Sequence, residues 1–139
     1  RTRMAMADDG ELIVLAPGLK EFGEDKEIDR LIRKYGYRGT PATLEALRQN
    51  EELKQNLSAA AHLIHGSTEG RFSVTYCPGN LTQEQIESVN FKYADLNETI
   101  KKYDPGKLKE GFNTLSDGQE IFYISNPATG LWSSRERLK

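Results

Sequence analysis

The sequence has little of several features that mark specialised protein classes. Among its 139 residues Cys77 is the single cysteine, which excludes a disulfide framework within the chain and paired-cysteine zinc sites. The apolar runs, such as residues 12–17 and 59–64, are far shorter than the roughly 20 residues that cross a bilayer. We therefore expect no membrane segment, and the lone cysteine fits a reducing, cytoplasmic setting.

A surplus of one charge is also missing. The chain has 19 Lys and Arg against 21 Asp and Glu, a formal net charge of -2. This near-balance, with no basic stripe, removes the electrostatic reason to expect nucleic-acid binding. Three chemical signatures are absent as well: a phosphate-cradling Gly-Lys-Ser loop, a Gly-rich dinucleotide fingerprint after the first strand, and a nucleophile-elbow serine. The sequence thus excludes the enzyme classes that these signatures define.

What is present describes a soluble globular protein. Hydrophobic residues make up 37% of the chain and charged residues 29%, and a chain of this size buries enough surface for one core without cross-links. The N-terminal residues 1–6 include neither an initiator methionine at position 1 nor an apolar signal-peptide stretch. We interpret residues 1–139 as a single domain cut from a longer, two-domain protein.

The first half of the chain predicts one strand followed by helices. Residues 11–16 form a nearly continuous apolar run, typical of a strand that is buried on both faces of a parallel sheet. Thr40 is an expected N-cap, with Pro41 at the first helical position. Apolar residues at helical spacing predict three helices, over 24–35, 40–50 and 51–65.

The second half predicts three more strands with helices between them. Thr82 and Gln85 have the form of a capping box that opens a short helix. The strands are expected at 71–77, 91–94 and 119–125, and a further helix at 95–103. Strands that alternate with helices predict an α/β fold, with a mostly parallel sheet of about four strands and helices on both faces, a three-layer sandwich.

The carboxyl ends of the predicted strands are the first candidate functional site. Residues 16–20, 76–80 and 125–130 all contain Pro and Gly, which fix turns and allow the backbone to approach a ligand closely. Ligands of open α/β sheets usually bind beyond these ends. Lys20 and Asn126 are therefore candidate substrate- or domain-facing residues, although every strand also needs a turn at its end.

Three side chains that could bind a metal or react with a substrate have two interpretations each. His62 and His65 lie three residues apart on a predicted helix and could bind a divalent metal if Cys77 or Glu69 came near; otherwise they are ordinary residues near a helix C-terminus. Cys77 is either an activated thiol that faces a substrate or domain, or a small buried hydrophobe. Of these interpretations we prefer the one without a metal site, and the metal site at His62 and His65 is the alternative.

The two ends of the chain add three candidates for contacts with substrate or a second domain. Trp132 either covers the core or faces a partner domain, because aromatic anchors are enriched at interfaces. Arg1 and Arg3 could hold a carboxylate or phosphate through their guanidinium groups, although arginines at a chain end are mostly solvated.

Four stretches of the chain have a recognisable pattern: DGELIVLAPG at 9–18, EIDRLI at 27–32, YGYRGT at 35–40 and NPATGLW at 126–132. Together they resemble the C-terminal domain of the lactate racemase-like family, which depends on a nickel pincer nucleotide. The resemblance covers nearly the whole chain and rests on element order and loop sequences. It identifies no catalytic signature within the chain.

The resemblance implies a division of labour. A larger N-terminal domain of the family supplies the lysine that carries the cofactor, the histidine ligand of nickel and two proton-exchanging histidines, while the C-terminal domain closes the cleft. A 2-hydroxy acid is oxidised by hydride transfer to the cofactor and then reduced from either face. We therefore expect an isomerase domain that is inactive alone and binds no cofactor by itself. Its expected partners are its own N-terminal domain and a small 2-hydroxy acid.

Two departures from the family pattern leave the substrate open. The family commonly has a Gln and a Lys just before the first strand, where this chain has Arg1, Thr2 and Arg3. A Gly-His-Lys run before the second strand is not reproduced by residues 58–62. Other hydroxy acids therefore remain possible substrates. The alternative is a non-catalytic α/β interaction or sensor domain that binds a partner through its strand-end loops or Trp132.

Overall fold

The computed structural model describes residues 2–138 and divides them into two compact units. One unit comprises residues 7–96, and the other comprises residues 97–138 together with 2–6. The described residues hold six α-helices, a three-stranded parallel sheet and a separate two-stranded antiparallel sheet. The predicted mixed α/β class is confirmed.

The unit of residues 7–96 is built on the parallel sheet. Its elements are β1 (Glu11–Ala16), α1 (Lys26–Tyr35), α2 (Thr40–Gln49), α3 (Glu51–Gln55), α4 (Leu57–His65), β2 (Ser73–Pro78), α5 (Gln83–Ser88) and β3 (Lys92–Tyr93). The strand order is β1-β2-β3, all parallel, with Glu11 opposite Ser73 and Ala16 opposite Pro78. Because β1 is an edge strand, its apolar residues 12–16 are only half-buried, in contrast to the expected burial on both faces.

Helix α1 follows from its sequence. The Asp25 side chain accepts a hydrogen bond of 2.8 Å from the Ile28 N–H and caps the helix start. Gly36 ends the helix at a φ of 66°, a conformation that favours glycine. Ile28, Leu31 and Ile32 form the buried stripe, and the helix packs against α4. The core of this unit lies along that contact.

Two helix boundaries differ from the predictions for physical reasons. The helix predicted over 51–65 breaks at Asn56, whose backbone leaves the helical conformation at a φ of -126°. The Asn56 side chain accepts a hydrogen bond of 3.0 Å from the Ala59 N–H and so caps α4. Thr40 is not an N-cap, because Gly39 holds that position. The Thr40 N–H and hydroxyl instead donate to the Glu69 carboxylate, which takes over the capping role.

The remaining short elements of this unit are close to expectation. Thr82 and Gln85 form the predicted capping box at the start of α5. The third strand is confirmed as β3, although it is two residues long. The strands are neighbours in chain order. Right-handed crossovers from β1 to β2 and from β2 to β3 would therefore place the connecting helices on the same face of the sheet. Helices on both faces therefore do not follow from this topology.

The second unit contains a β-hairpin. Helix α6 (Leu96–Lys102) begins at the boundary of the units, and β4 (Gly111–Thr114) pairs antiparallel with β5 (Glu120–Tyr123). The tight turn between the strands has Gly118 at a φ of 83°. The strand predicted at 119–125 therefore exists but belongs to this hairpin and not to the parallel sheet, and β4 was not predicted. Two short 3-10 helices follow, Pro127–Thr129 and Arg135–Leu138.

Within residues 2–138 the helices are all too short or too polar to cross a bilayer.

Two leucines of α4 provide a matched test of the core. Leu63 is fully buried whereas Leu57 is 67% exposed on the same helix. We expect Leu63→Ala to lower the free energy of unfolding by about 2–5 kcal/mol, because it opens a cavity. Leu57→Ala should change it by less than about 0.5 kcal/mol. Urea unfolding followed by circular dichroism measures both, and equal effects would contradict the assigned core.

Candidate functional site

The carboxyl ends of β1 and β2 meet at one edge of the sheet, as the sequence predicts for two of the three loops. The parallel register aligns Ala16 with Pro78, so the segments that follow run side by side. We call residues 17–20 and 78–80 the strand-end platform. It is the place where α/β sheets usually bind ligands.

Backbone contacts join the two halves of the strand-end platform. The Gly79 N–H donates to the Ala16 carbonyl at 3.1 Å, and the Asn80 side-chain amide donates to the Pro17 carbonyl at 3.1 Å. A Cβ at position 79 would clash with the Pro17 carbonyl oxygen, which lies closer than any side chain allows. Glycine is therefore required at position 79 by close backbone approach and not by an unusual φ.

The strand-end platform is open to solvent. Its exposed residues are Pro17, Gly18, Lys20, Gly79 and Asn80. Lys20 makes no ion pair with the residues that the structure describes, so its ammonium group is available to an anion. Asn80 was not singled out from the sequence, although its position directly after Pro78-Gly79 at a strand end was a usable signal.

The third predicted loop has a local structural role. It follows β5 of the hairpin, so the alignment of parallel strand ends does not apply to it. The Asn126 side chain accepts a 3.0 Å hydrogen bond from the Ala128 N–H and caps the first 3-10 helix. Trp132 is half-buried and lies over Gly130, where a Cβ would stand 3.1 Å from the indole ring. Both residues are explained by contacts within their own segment.

The structure corrects the prediction that Cys77 faces a substrate or a second domain. It is fully buried and lies opposite Leu15 in the register of β1 and β2. The thiol therefore does not reach the surface of the described residues, and the interpretation as a small buried hydrophobe fits. Arg3 is half-buried, whereas Arg1 lies outside the described residues.

The two histidines line a shallow surface depression. His62 and His65 share it with Glu24, Ser58 and Ala61. In the described range 2–138, no three His, Cys, Asp or Glu side chains come together in a group that could hold a metal ion. The two other ligands considered are placed elsewhere, since Cys77 is buried and Glu69 accepts from Thr40.

A strongly perturbed carboxylate, that of Glu52, lies on the surface between α1 and α3. Glu52 accepts hydrogen bonds from Arg30 at 3.0 Å, from the Tyr35 hydroxyl at 2.7 Å and from Lys34. These contacts, with Lys34 first, lower the pKa of Glu52 to about 2. Perturbed carboxylates can mark active sites, but this one is neutralised by its partners and joins two helices. We interpret the cluster as structural.

An aromatic cluster joins β2 to the segments that precede α2 and β3. Phe91 stacks on Tyr37 with ring centroids 4.6 Å apart and on Tyr76 at 5.1 Å. Burial raises the pKa of both tyrosine phenols. The stacked rings contribute packing to this unit.

Comparison with known proteins shows a structural likeness and no family assignment. No protein-family model matches the chain. The chain is similar to the crystal structure of a Thermotoga maritima protein, with a TM-score of 0.54 and 26% sequence identity. The match covers 75% of this chain and 24% of that one. The chain thus spans about a quarter of the length of the protein it matches.

Gly79 and Gly18 provide a matched test of the strand-end platform. An alanine Cβ at 79 would clash with the Pro17 backbone, whereas one at 18 would meet nothing within 4 Å. We expect Gly79→Ala to destabilise the chain by about 1–3 kcal/mol or more, as overpacking does. Gly18→Ala should have little effect. Urea unfolding of the two variants checks this, and a neutral Gly79→Ala would refute the close approach.

The Glu52 cluster predicts a pH dependence. Its folded pKa of about 2 lies below the ordinary value of 4.5, so its stabilisation is present above pH 4.5 and is lost as the pH falls toward 2. We expect Glu52→Gln to lower the Tm slightly at pH 6 and to reduce the loss of Tm between pH 4.5 and 2. Glu51→Gln, which removes the neighbouring carboxylate paired with Lys54, is the control. Identical pH profiles for wild type and Glu52→Gln would contradict the assignment.

Proposed function

We propose that this chain is the cleft-closing C-terminal domain of a lactate racemase-like 2-hydroxy-acid racemase or epimerase, and that it is inactive alone. The observation that carries the proposal is the strand-end platform. It is an exposed surface at the ligand-binding edge of an α/β sheet, fixed by backbone contacts. Its β1 half comes from a stretch, residues 9–18, that resembles the family.

The chemistry of the strand-end platform suits a small hydroxy acid. Every 2-hydroxy acid carries a carboxylate, and the exposed Lys20 supplies a cation within the loop after β1. The glycines at 18 and 79 leave the backbone accessible. In this proposal the domain closes over the substrate, holds its carboxylate and excludes water, while reacting groups come from elsewhere.

The resemblance assigns the single histidine ligand of nickel, and the lysine that carries the nickel pincer nucleotide, to the larger domain. Within residues 2–138 no three His, Cys, Asp or Glu side chains form a group that could bind a metal ion through side chains alone. The proposal therefore assigns the metal ligands to the larger domain and gives this chain no part in holding the cofactor.

We extend the proposal to the architecture of the complete protein. The similarity to about a quarter of a longer Thermotoga protein supports the interpretation that this chain is one domain of a larger protein. In the complete protein we expect about four parallel strands with helices on both faces, the N-terminal domain as partner, and a cytoplasmic location.

One observation favours the alternative of an interaction domain. Phe112 is 84% exposed and Phe122 50% exposed. They lie opposite each other on β4 and β5, with ring centroids 4.9 Å apart in an edge-to-face arrangement. An exposed aromatic pair of this kind is typical of protein-binding surfaces. The alternative function is therefore a module that binds a partner protein through the hairpin.

Reconstitution of the full-length parent protein separates the two functions. Expressed with the enzymes that make the cofactor, it should epimerise a 2-hydroxy acid, and a variant without this domain should be inactive. In the full-length protein we expect Lys20→Ala to lower kcat/KM about 10-fold or more, since a hydrogen bond to a charged group is lost.

Lys26→Ala is the matched control, because Lys26 is an exposed lysine at the start of α1. It should leave kcat/KM and Tm unchanged. Full activity without the domain would overturn the racemase proposal and favour the interaction domain.

A further inference from the structure

The edge of β1 is less covered than the rest of the parallel sheet. Each residue from Leu12 to Ala16 is half-buried, while most of β2, including Val74, Thr75 and Cys77, is buried. In the strand order β1-β2-β3, β1 has a neighbour on one side only. Within residues 2–138 no strand pairs with its outer edge.

The hydrogen-bond pattern shows which groups lie on that outer edge. The Gly10 carbonyl accepts from Ser73 at 2.9 Å, and the Ala16 carbonyl accepts from Gly79 at 3.1 Å. In a parallel ladder alternate residues bond to the same neighbour, so the even-numbered residues of β1 face β2. The N–H and C=O groups of Glu11, Ile13 and Leu15 therefore point away from the sheet.

The sequence of β1 is unlike that of a natural exposed edge. Proteins protect open edges with lysine, proline, bulges or inward-pointing charges. After Glu11 the strand reads Leu-Ile-Val-Leu-Ala, and its pairing with β2 is continuous, without a bulge. Uninterrupted apolar sequence of this kind is typical of strands inside parallel sheets.

We propose that β1 is an interior strand of the complete protein, and that its outer edge pairs with a β-strand from the part of the full-length protein that lies outside this chain. The partner is an apolar segment of five or six residues, whose main chain supplies the bonds, as in strand addition. The matched Thermotoga protein has about three quarters of its length outside the match, ample chain for such a strand. The added strand brings the sheet to four.

The inference rests on the proposed function only in taking the chain as part of a longer protein. It does not require racemase activity. A full-length protein without activity but with a paired β1 edge would refute the proposed function and leave the inference standing. An active full-length protein with an unpaired β1 edge would refute the inference and leave the proposed function standing.

Residue-resolved hydrogen exchange tests the pairing directly. In this chain alone, the Ile13 and Leu15 amides should exchange about 100-fold or more faster than the Val14 amide, which faces β2. In the full-length protein all three should be similarly protected. Unprotected Ile13 and Leu15 in the full-length protein would overturn the proposal. Protection in this chain alone that increases with dimer formation would also overturn it, because a second copy would then be the partner.

A pair of substitutions at one position gives a second test. Ile13→Pro removes the outward N–H without removing a bond to β2, and proline is tolerated at such edge positions. Ile13→Ala removes the side chain and keeps the N–H. We expect the two variants to have similar Tm values in this chain, and Ile13→Pro to have the lower Tm in the full-length protein. Equal Tm values there would contradict the pairing. If Ile13→Pro does not fold in this chain, the exchange measurement decides.

Discussion

The parallel pairing of β1 with β2 is the constraint on which the unit of residues 7–96 depends. It sets Ala16 opposite Pro78 and thereby brings Pro17 and Gly79 into backbone contact, which only a residue without a Cβ permits. The same register also determines where two other features of the sheet lie. The strand-end platform lies at one edge of the sheet, and the outward groups of Glu11, Ile13 and Leu15 lie along another.

Apolar packing and ion pairs both stabilise this unit, but to different extents. The fully buried residues Leu31, Ile32 and Leu63 supply the apolar contact between α1 and α4, which is the main source of stability in a small core. The ion pairs of Glu52 lie on the surface and contribute less, because solvent screens them. We therefore interpret the strongly shifted Glu52 carboxylate as structural, and the strand-end platform, residues 17–20 and 78–80, contains no carboxylate side chain.

The sequence predicts local structure well and long-range pairing poorly. The strand at 11–16, the helix that ends at Gly36 and the Thr82 capping box follow from periodicity and end signals that act within a few residues. The break at Asn56 was missed because asparagine tolerates both a helix interior and a cap. The partner of β5 was missed because alternation identifies a strand and not its neighbour.

The candidate site shows the same division. Two Pro-Gly loops meet because parallel strands end at one edge, which sequence order predicts. The third loop does not join them, because β5 lies in an antiparallel hairpin. Burial of Cys77 depends on what covers β2, and no local pattern reports that.

The role proposed for the strand-end platform is to close over a substrate that a larger domain holds. A crystal structure of the full-length protein with a bound 2-hydroxy acid tests it most directly. We expect Lys20 and the Gly79 backbone to lie at the wall of the cleft, with the Lys20 ammonium group directed at the substrate carboxylate. A substrate enclosed elsewhere, with the strand-end platform facing open solvent, would contradict it.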